Sequence, residues 1–216
     1  MLNTIRGLLW KILGIRYYKY LRGKNCTYLK DVKWAIVGEN THDSGAIVWK
    51  WYNYSILKIG KCCSIGSNVN LICDSGYHTE SEFSSFSLFF EILREEDDVI
   101  IKNKTYRVSD IKEKIKPKKC NIEIGNDVWI GINSTIMPGV KIGNGVTVLT
   151  GSIITKDIPD YSLVGGNPAK IIKMKHTDEV IDKLNQIAWW DWSNKKLKEN
   201  INDFYLSTEE FIKKHS

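Results

Sequence analysis

No CxxC pair, no long apolar run and no extended tract of Lys and Arg interleaved with aromatics occurs in this 216-residue sequence. The first absence removes the usual ligand spacing of a zinc site, and no metal is expected. The five cysteines (Cys26, Cys62, Cys63, Cys73 and Cys120) are odd in number, in a chain too long to need staples. Reduced thiols in a cytoplasmic protein are the expectation. The second absence argues against a membrane span or secretory signal: Leu8 to Ile15 is interrupted by Lys11, is too short, and has no small-residue cleavage site after it. The third leaves the net charge of +6 as a mild preference for anionic partners, with no nucleic acid expected among them.

A hydrophobic fraction of 43% and a charged fraction of 26% suit one soluble domain with appendages, large enough to bury a core. Within it an aliphatic residue returns every six positions, at Ile124, Ile130, Ile136, Ile142, Val148 and Ile154. Glycine follows at once at Gly125, Gly131 and Gly143. A small or β-branched residue comes four after the aliphatic, at Val128, Ser134, Val140, Val146 and Ser152. Earlier, Ile59-Gly60, Ile65-Gly66 and Leu71 keep the same phase, with Cys63 and Val69 in the fourth-following slot. A period of six is neither that of a helix nor that of a hairpin. It fits a short strand plus a bend, so that the aliphatic always returns inward. Three such units close one triangular coil, and stacked coils share a core and a parallel ladder. Gly60, Gly66, Asn68, Gly125, Asn126, Asn144 and Gly145 mark the bends, where tight or left-handed backbone costs little.

The repeat divides the chain. Residues 1–35 are basic and aromatic-rich. Residues 36–172 hold the coils, irregular at first and interrupted over 77–120 by an excursion long enough to be a lid or binding loop. Residues 173–216 form a helical extension in which Val180, Ile181, Leu184 and Ile187 share a face. Trp189-Trp190-Asp191-Trp192 and a second helical stretch follow. The tryptophans are expected to pack the extension on the coils, and Glu95-Glu96-Asp97-Asp98 to be a solvated loop tip.

Six residues after Leu71, where the period stops, begins Tyr77-His78-Thr79-Glu80-Ser81-Glu82-Phe83-Ser84-Ser85-Phe86-Ser87-Leu88. Further on stand Gly125-Asn126-Asp127-Val128-Trp129-Ile130-Gly131 and Pro138-Gly139-Val140-Lys141-Ile142-Gly143. The run Gly151 to Pro159, the run Val164 to Lys170 and the tryptophan motif complete the set. Together, over roughly residues 55–205, they resemble the hexapeptide-repeat acyltransferases. The nearest likeness is to the xenobiotic acetyltransferase branch, which includes virginiamycin and chloramphenicol O-acetyltransferases and has polysaccharide O-acetyltransferases as relatives. Serine stands at 81 and 87 where that branch usually has an acidic residue and a proline. The resemblance implies an all-β solenoid, specifically a left-handed parallel β-helix, since periodicity alone does not set the hand. It also implies acetyl-CoA as cosubstrate and a homotrimer with active sites between subunits.

Acetyl transfer needs a group to take the proton of a hydroxyl as it attacks a thioester. A neutral imidazole suits this, with a typical effect of ~10²–10⁴-fold. His78 is the candidate base. His42, in a polar stretch, and His176 and His215, in charged C-terminal stretches, are expected on the solvated surface. An oxyanion donor is expected from a backbone N–H near Trp129 to Gly131. Cys63 fills an inward slot, and Cys62 and Cys73 have no flanking base in sequence, which favours direct transfer over an acyl-enzyme. The resemblance further implies CoA contacts at Trp129, Gly131, Thr150, Thr155 and Lys156, with Lys170 and Lys173 beside the nucleotide phosphates.

Residues 1–24 carry Arg6, Lys11, Arg16, Lys19, Arg22 and Lys24 with no acidic residue, and Leu2, Ile5, Leu9 and Ile12 share a helical face. Such a helix caps the open end of the coils or rests on an anionic membrane surface. The cap is the leading expectation. Peripheral membrane contact would suit an enzyme of polysaccharide biosynthesis, and the acceptor is read as a hydroxyl of a sugar or cell-surface polysaccharide precursor. An antibiotic, streptogramin or chloramphenicol, is the alternative. Two other classes fare worse. A metal site like that of γ-type carbonic anhydrases needs three converging histidines, and only His78 borders the coils. A non-catalytic trimeric scaffold has no need of His78, Lys156 and Lys170.

Overall fold

A computed structural model of the chain describes residues 26–51, 55–74, 86, 92–94, 96–110 and 120–216. The basic helix expected over residues 1–24, and His78, lie outside the described residues.

The six-residue period becomes a rotation through three sheets. The strands β1 (Cys26–Tyr28), β2 (Ile36–Val37), β3 (His42–Asp43), β4 (Ile47–Trp49), β5 (Leu57–Ile59), β6 (Ser64–Ile65) and β7 (Asn70–Ile72) come first. A hairpin of β8 (Asp98–Ile101) and β9 (Lys104–Arg107) stands apart, antiparallel, inside the 77–120 excursion. Then follow β10 (Ile122–Ile124), β11 (Trp129–Ile130), β12 (Thr135–Ile136), β13 (Lys141–Ile142), β14 (Thr147–Val148), β15 (Ile153–Ile154), β16 (Ser162–Gly166) and β17 (Ala169–Met174). Sheet I stacks β2, β5, β10 and β13; sheet II stacks β3, β6, β11, β14 and β16; sheet III stacks β4, β7, β12 and β15. All these pairings are parallel. Two antiparallel strands end the stacks, β1 on sheet III and β17 on sheet II. Because β5 pairs directly with β10, the chain leaves after β7 and resumes one round later without disturbing the register.

The inward rows are those that the period marks. Ile124, Ile130, Ile136, Ile142, Val148 and Ile154 are all buried, and so are Val128, Ser134, Val140, Val146 and Ser152 in the fourth-following slot. One continuous core results, with Leu57, Ile59, Cys63, Ile65, Val69 and Leu71 from the earlier rounds. Ser134 and Ser152 are tolerated inside because both hydroxyls donate to the Leu149 carbonyl, at 3.1 and 2.6 Å. The glycine after each aliphatic serves close approach rather than positive φ. A Cβ at Gly131 would stand 2.5 Å from the Thr150 nitrogen in the next round. Left-handed backbone falls instead to residues such as Asn68, Asp127, Asn133 and Gly145.

The C-terminal extension holds α1 (Asp178–Ile187), α2 (Asn194–Glu199) and α3 (Thr208–His215). Ser207 and Glu210 form a capping box at the start of α3. A second core gathers Tyr161, Ile181, Leu184, Trp190, Phe211 and Ile212, with Cys62, Val180, Ile187, Trp189 and Trp192 packed around it. Tyr161 and Cys62 belong to the corner between sheets I and II, so the tryptophan motif fastens the helices to the rounds as expected. Lys61 to Asp191 at 3.0 Å adds an exposed ion pair across the same seam. Among the described residues, no helix is long and apolar enough to cross a membrane.

Candidate active site

Five of the seven expected CoA residues lie on sheet II or on the edge where it turns into sheet III. In register across sheet II run His42, Ser64, Trp129, Thr147, Leu163 and Lys173. This row is the outward counterpart of Ile65, Ile130, Val148 and Val164, which are buried one residue later. Facing residues on paired strands share a side of the sheet, so these six side chains form one outer stripe. Trp129 is 52% exposed, which rules out simple core packing within the chain. Gly131 and Thr150 meet at the adjoining edge, and Lys170 pairs with Gly165 at the same edge one round on. Thr155 and Lys156 do not join them. They follow β15, on the opposite edge of sheet III, where the chain turns toward sheet I.

The chain runs on toward position 78 from the same edge as Thr155, but two rounds earlier. The last described residues before it are Cys73 and Asp74, directly after β7. Asp74 is fully buried, and its carboxylate accepts from the Trp51 N–H at 3.1 and 3.2 Å. Around it Trp49 and Trp51 stack at 6.1 Å, and the Lys50 ammonium lies 3.6 Å from the centre of the Trp34 ring. Burial, with some help from Asp74, pushes the Cys73 thiol up to about 12. Burial likewise raises Cys62, Cys63 and Cys120. Thiols held in the protonated state are poor nucleophiles. None of the five cysteines is in a disulfide.

Two expectations are corrected. The backbone N–H groups of Trp129 and Gly131 are spent on the ladder, donating to Val146 and Val148 carbonyls at 2.9 and 2.8 Å, and neither is left for an oxyanion. His215 is not at the solvated surface: its side chain is 9% exposed, beside Trp192 and Phe211, and its Nε2 lies 3.0 Å from the Asp203 carboxylate. A third feature went unread. His42 is exposed, but it stands in the sheet II stripe with Nε2 3.2 Å from the Ser64 hydroxyl. The phase of the repeat would have marked it, except that Asp43 takes the slot its register partner Ile65 fills with an aliphatic.

The family described as bacterial transferase hexapeptide (six repeats) matches residues 121–156. A chloramphenicol acetyltransferase of Klebsiella aerogenes is 41% identical over 143 residues, covering 66% of this chain and 62% of its own length. A protein named probable macrolide acetyltransferase, from Lysinibacillus sphaericus, is 35% identical over 167 residues, covering 74% of this chain and 84% of its own. Among solved structures, a maltose O-acetyltransferase from Clostridium difficile 630 aligns at 25% identity over 67% of this chain and 61% of that one, with a TM-score of 0.45. The chain belongs to the hexapeptide-repeat transferase family.

Proposed function

We propose that this protein is an acetyl-CoA-dependent O-acetyltransferase built as a left-handed parallel β-helix, with His78 as its general base. The single observation that carries the reading is the outer stripe of sheet II, which aligns exposed Trp129 with Lys173. Lys170 and Lys173 at the β17 end supply cations for the nucleotide phosphates. Trp129 offers an open ring face to the pantetheine arm. Gly131, lacking a Cβ, lets Thr150 close the adjoining edge. The thioester then points toward the rounds from which the His78 segment departs. There the acceptor oxygen attacks the thioester carbonyl carbon while His78 takes its proton. Collapse of the intermediate breaks the C–S bond, and the departing sulfur recovers the proton from the imidazolium. Protonated, buried thiols support transfer without an acyl-enzyme.

Thr155 and Lys156, on the far edge of sheet III, serve the ligand of a neighbouring copy in this reading, which makes the enzyme a homotrimer with its sites between subunits. The exposed Trp129, Ile132, Leu149, Ile171 and Ile172 suit a face covered by another copy. Residues 1–35 act as a cap, 36–172 as the transferase domain and 173–216, beginning with the last two residues of β17, as a mainly helical extension, in a cytoplasmic protein; contact of residues 1–24 with anionic membrane is the alternative to the cap. The acceptor is a saccharide hydroxyl. A second reading, an antibiotic acceptor, has specific support in the names of the chloramphenicol and macrolide acetyltransferases reported above.

Free-thiol release from acetyl-CoA, measured over nucleotide sugars, oligosaccharides, chloramphenicol and a streptogramin, tests the proposal. Acceptor-dependent thiol release is expected, and a His78→Ala protein that released thiol at the parent rate would sink it. Sedimentation gives the oligomeric state, and a monomer that turns over at full rate would remove the shared site.

A further inference from the structure

The corner between sheets I and II repeats one left-handed position in every round. Asn40, Cys62, Asp127, Gly145 and Tyr161 all have φ between 52° and 64°. Each after the first donates its N–H to the round before, as Tyr161 does to the Asn144 carbonyl at 2.7 Å. Asn, Asp and Gly accept such backbone at little cost, whereas a tyrosine is strained there. Gly145 makes room for it: a Cβ would meet Tyr161 ring carbons at 2.6 Å. Packing explains the ring, which joins the second core, but not its hydroxyl. That oxygen is buried with no hydrogen-bond partner among the described residues, and a phenylalanine would pack without leaving one.

Tyr161 is one wall of a cavity of about 180 Å³ between the last round and the helical extension. The His176 ring, just past β17, meets it edge-on with centroids 5.7 Å apart. From the extension come Trp189, Phe204 and Phe211, with Phe204 5.0 Å from Trp189 and 5.7 Å from Phe211. His176 has no hydrogen-bond partner among the described residues. Burial, with Lys175 beside it, holds its imidazole below the usual range, so at neutral pH it offers one donor and one acceptor nitrogen. Asp203, also in the wall, is occupied by the Lys214 ammonium at 2.7 Å and by His215 at 3.0 Å. A cation would find that carboxylate already paired. An anion would meet a carboxylate and no Lys or Arg in the lining. The chemistry left is that of a neutral molecule, and a cavity of about 150 Å³ is enough for one benzene ring.

We propose that this cavity is a second binding site, apart from the stripe on sheet II, for one small neutral aromatic molecule carrying a hydroxyl, a phenol in class. Its ring lies among Tyr161, Trp189, Phe204 and Phe211. Its hydroxyl bonds to the His176 imidazole, and the Tyr161 hydroxyl joins the same network. The site does not depend on acetyl transfer. It is at the edge where sheet I turns into sheet II, whereas Gly131, Thr150 and Lys170 lie at the edge between sheets II and III.

The test is calorimetric titration of the full-length protein with phenol, followed in parallel by tryptophan fluorescence. One phenol per chain is expected, with a dissociation constant on the order of 1 mM. Benzene should bind about tenfold more weakly, and choline and benzoate, the cationic and anionic controls, should not bind. His176→Phe and Tyr161→Phe keep a ring in the wall, and each should weaken phenol about tenfold while leaving benzene within about twofold. Leu206→Trp, at an exposed lining residue, should fill the cavity and abolish binding of both. Saturating phenol should leave acetyl-CoA affinity within about twofold. Absence of saturable phenol binding, or binding unchanged in Leu206→Trp, would overturn the site. Parent-like phenol affinity in both ring variants would overturn the phenol class, as would tighter binding of choline or benzoate. Competition with acetyl-CoA would place the ligand on the stripe and overturn a separate site. A crystal soaked in phenol gives a reading that needs no variant: the ring is expected between Tyr161 and Trp189, and density only elsewhere would sink the proposal.

Discussion

Sheets I and II have matching interiors and unlike exteriors. Inside, Ile59, Ile124 and Ile142 on sheet I answer Ile65, Ile130 and Val148 on sheet II, all buried. Outside, sheet I presents Lys58, Glu123 and Lys141 in register, with Lys141 and Glu123 paired at 3.8 Å. These side chains, with Asp157 and Asp160, line a groove of about 610 Å³. Sheet II presents Ser64, exposed Trp129, Thr147 and Leu163. A groove of that volume could hold a ligand on sheet I. Chemistry argues against it, because three carboxylates among two lysines repel a polyphosphate and offer no ring to an acyl carrier. The lesson is that the repeat dictates only the inward positions. The residues between them are free to be solvated on one face and functional on another.

The sharpest break between the faces is catalytic. His78→Ala is expected to lower kcat by about 10²–10⁴-fold, the usual worth of a general base. Lys141→Ala, on the charged face, should leave kcat within about twofold. Steady-state thiol release on both variants reads this directly. Equal loss from the two would mean that the groove on sheet I, not the stripe on sheet II, takes the ligand.

The corner between the faces gives a second, pH-dependent contrast. Asp127 sits there at φ 56°, and burial pushes its carboxyl up to about 6 against a weaker pull downward from Lys175. The folded state then keeps this proton between about pH 4 and 6 while the unfolded chain has lost it. Stability therefore falls as pH rises through that window and is flat above it. Asp127→Asn removes the penalty and keeps a residue type that accepts left-handed backbone. Urea midpoints should show the variant more stable than the parent at pH 7.5, by up to about 3 kcal/mol at about 1.4 per unit. Near pH 3.5 the two should agree. A constant offset at both pH values would mean that the carboxylate is solvated.

If the interiors are equivalent, the glycines that end their strands should be too. A Cβ at Gly125, after sheet I, would stand 2.8 Å from the Asn144 nitrogen, and one at Gly131, after sheet II, 2.5 Å from the Thr150 nitrogen. Backbone cannot swing aside as a side chain can. Gly125→Ala and Gly131→Ala should each cost about 1–3 kcal/mol of stability, as overpacking does. Chemical denaturation of both would check it. Only Gly131→Ala should also weaken acetyl-CoA binding, which separates the structural role shared by the corners from the ligand role assigned to one.

This division explains what could be read without coordinates. The buried rows were legible because burial imposes an aliphatic every six residues, and so was the helical face of Val180, Ile181, Leu184 and Ile187. The hairpin β8–β9 was not. Its turn uses Lys102 and Asn103, both at positive φ, in place of the Asn-Gly pair that would have announced it, and Asp98 begins a strand where a solvated loop tip was expected. His42 is exposed as expected, but its place in the sheet II row was not legible because Asp43 breaks the phase at its strand. That aspartate spends its carboxylate on the Gly45 and Ala46 N–H groups at 2.9 Å, holding a bend where other rounds have an aliphatic. His215 was misread because a charged local sequence hid a hydrogen-bonded contact with Asp203, twelve residues away. Outer residues take their meaning from neighbours a full round apart, and no local pattern carries that information.

The smallest effect is also the cleanest comparison. Trp129 is half exposed, so truncating it removes little packing inside the chain. Trp129→Ala should therefore keep the parent's fold by circular dichroism, while its affinity for acetyl-CoA drops about tenfold, or 1.4 kcal/mol. Lys173→Ala, three strands away on the same stripe, should give a similar or smaller loss that shrinks further as salt is raised, because a phosphate contact is screened and a ring contact is not. If both losses vanished in high salt, the stripe would be acting only as a patch of charge. A salt-independent loss at Trp129 beside a salt-dependent one at Lys173 would resolve the two ends of one bound molecule along a single row of side chains.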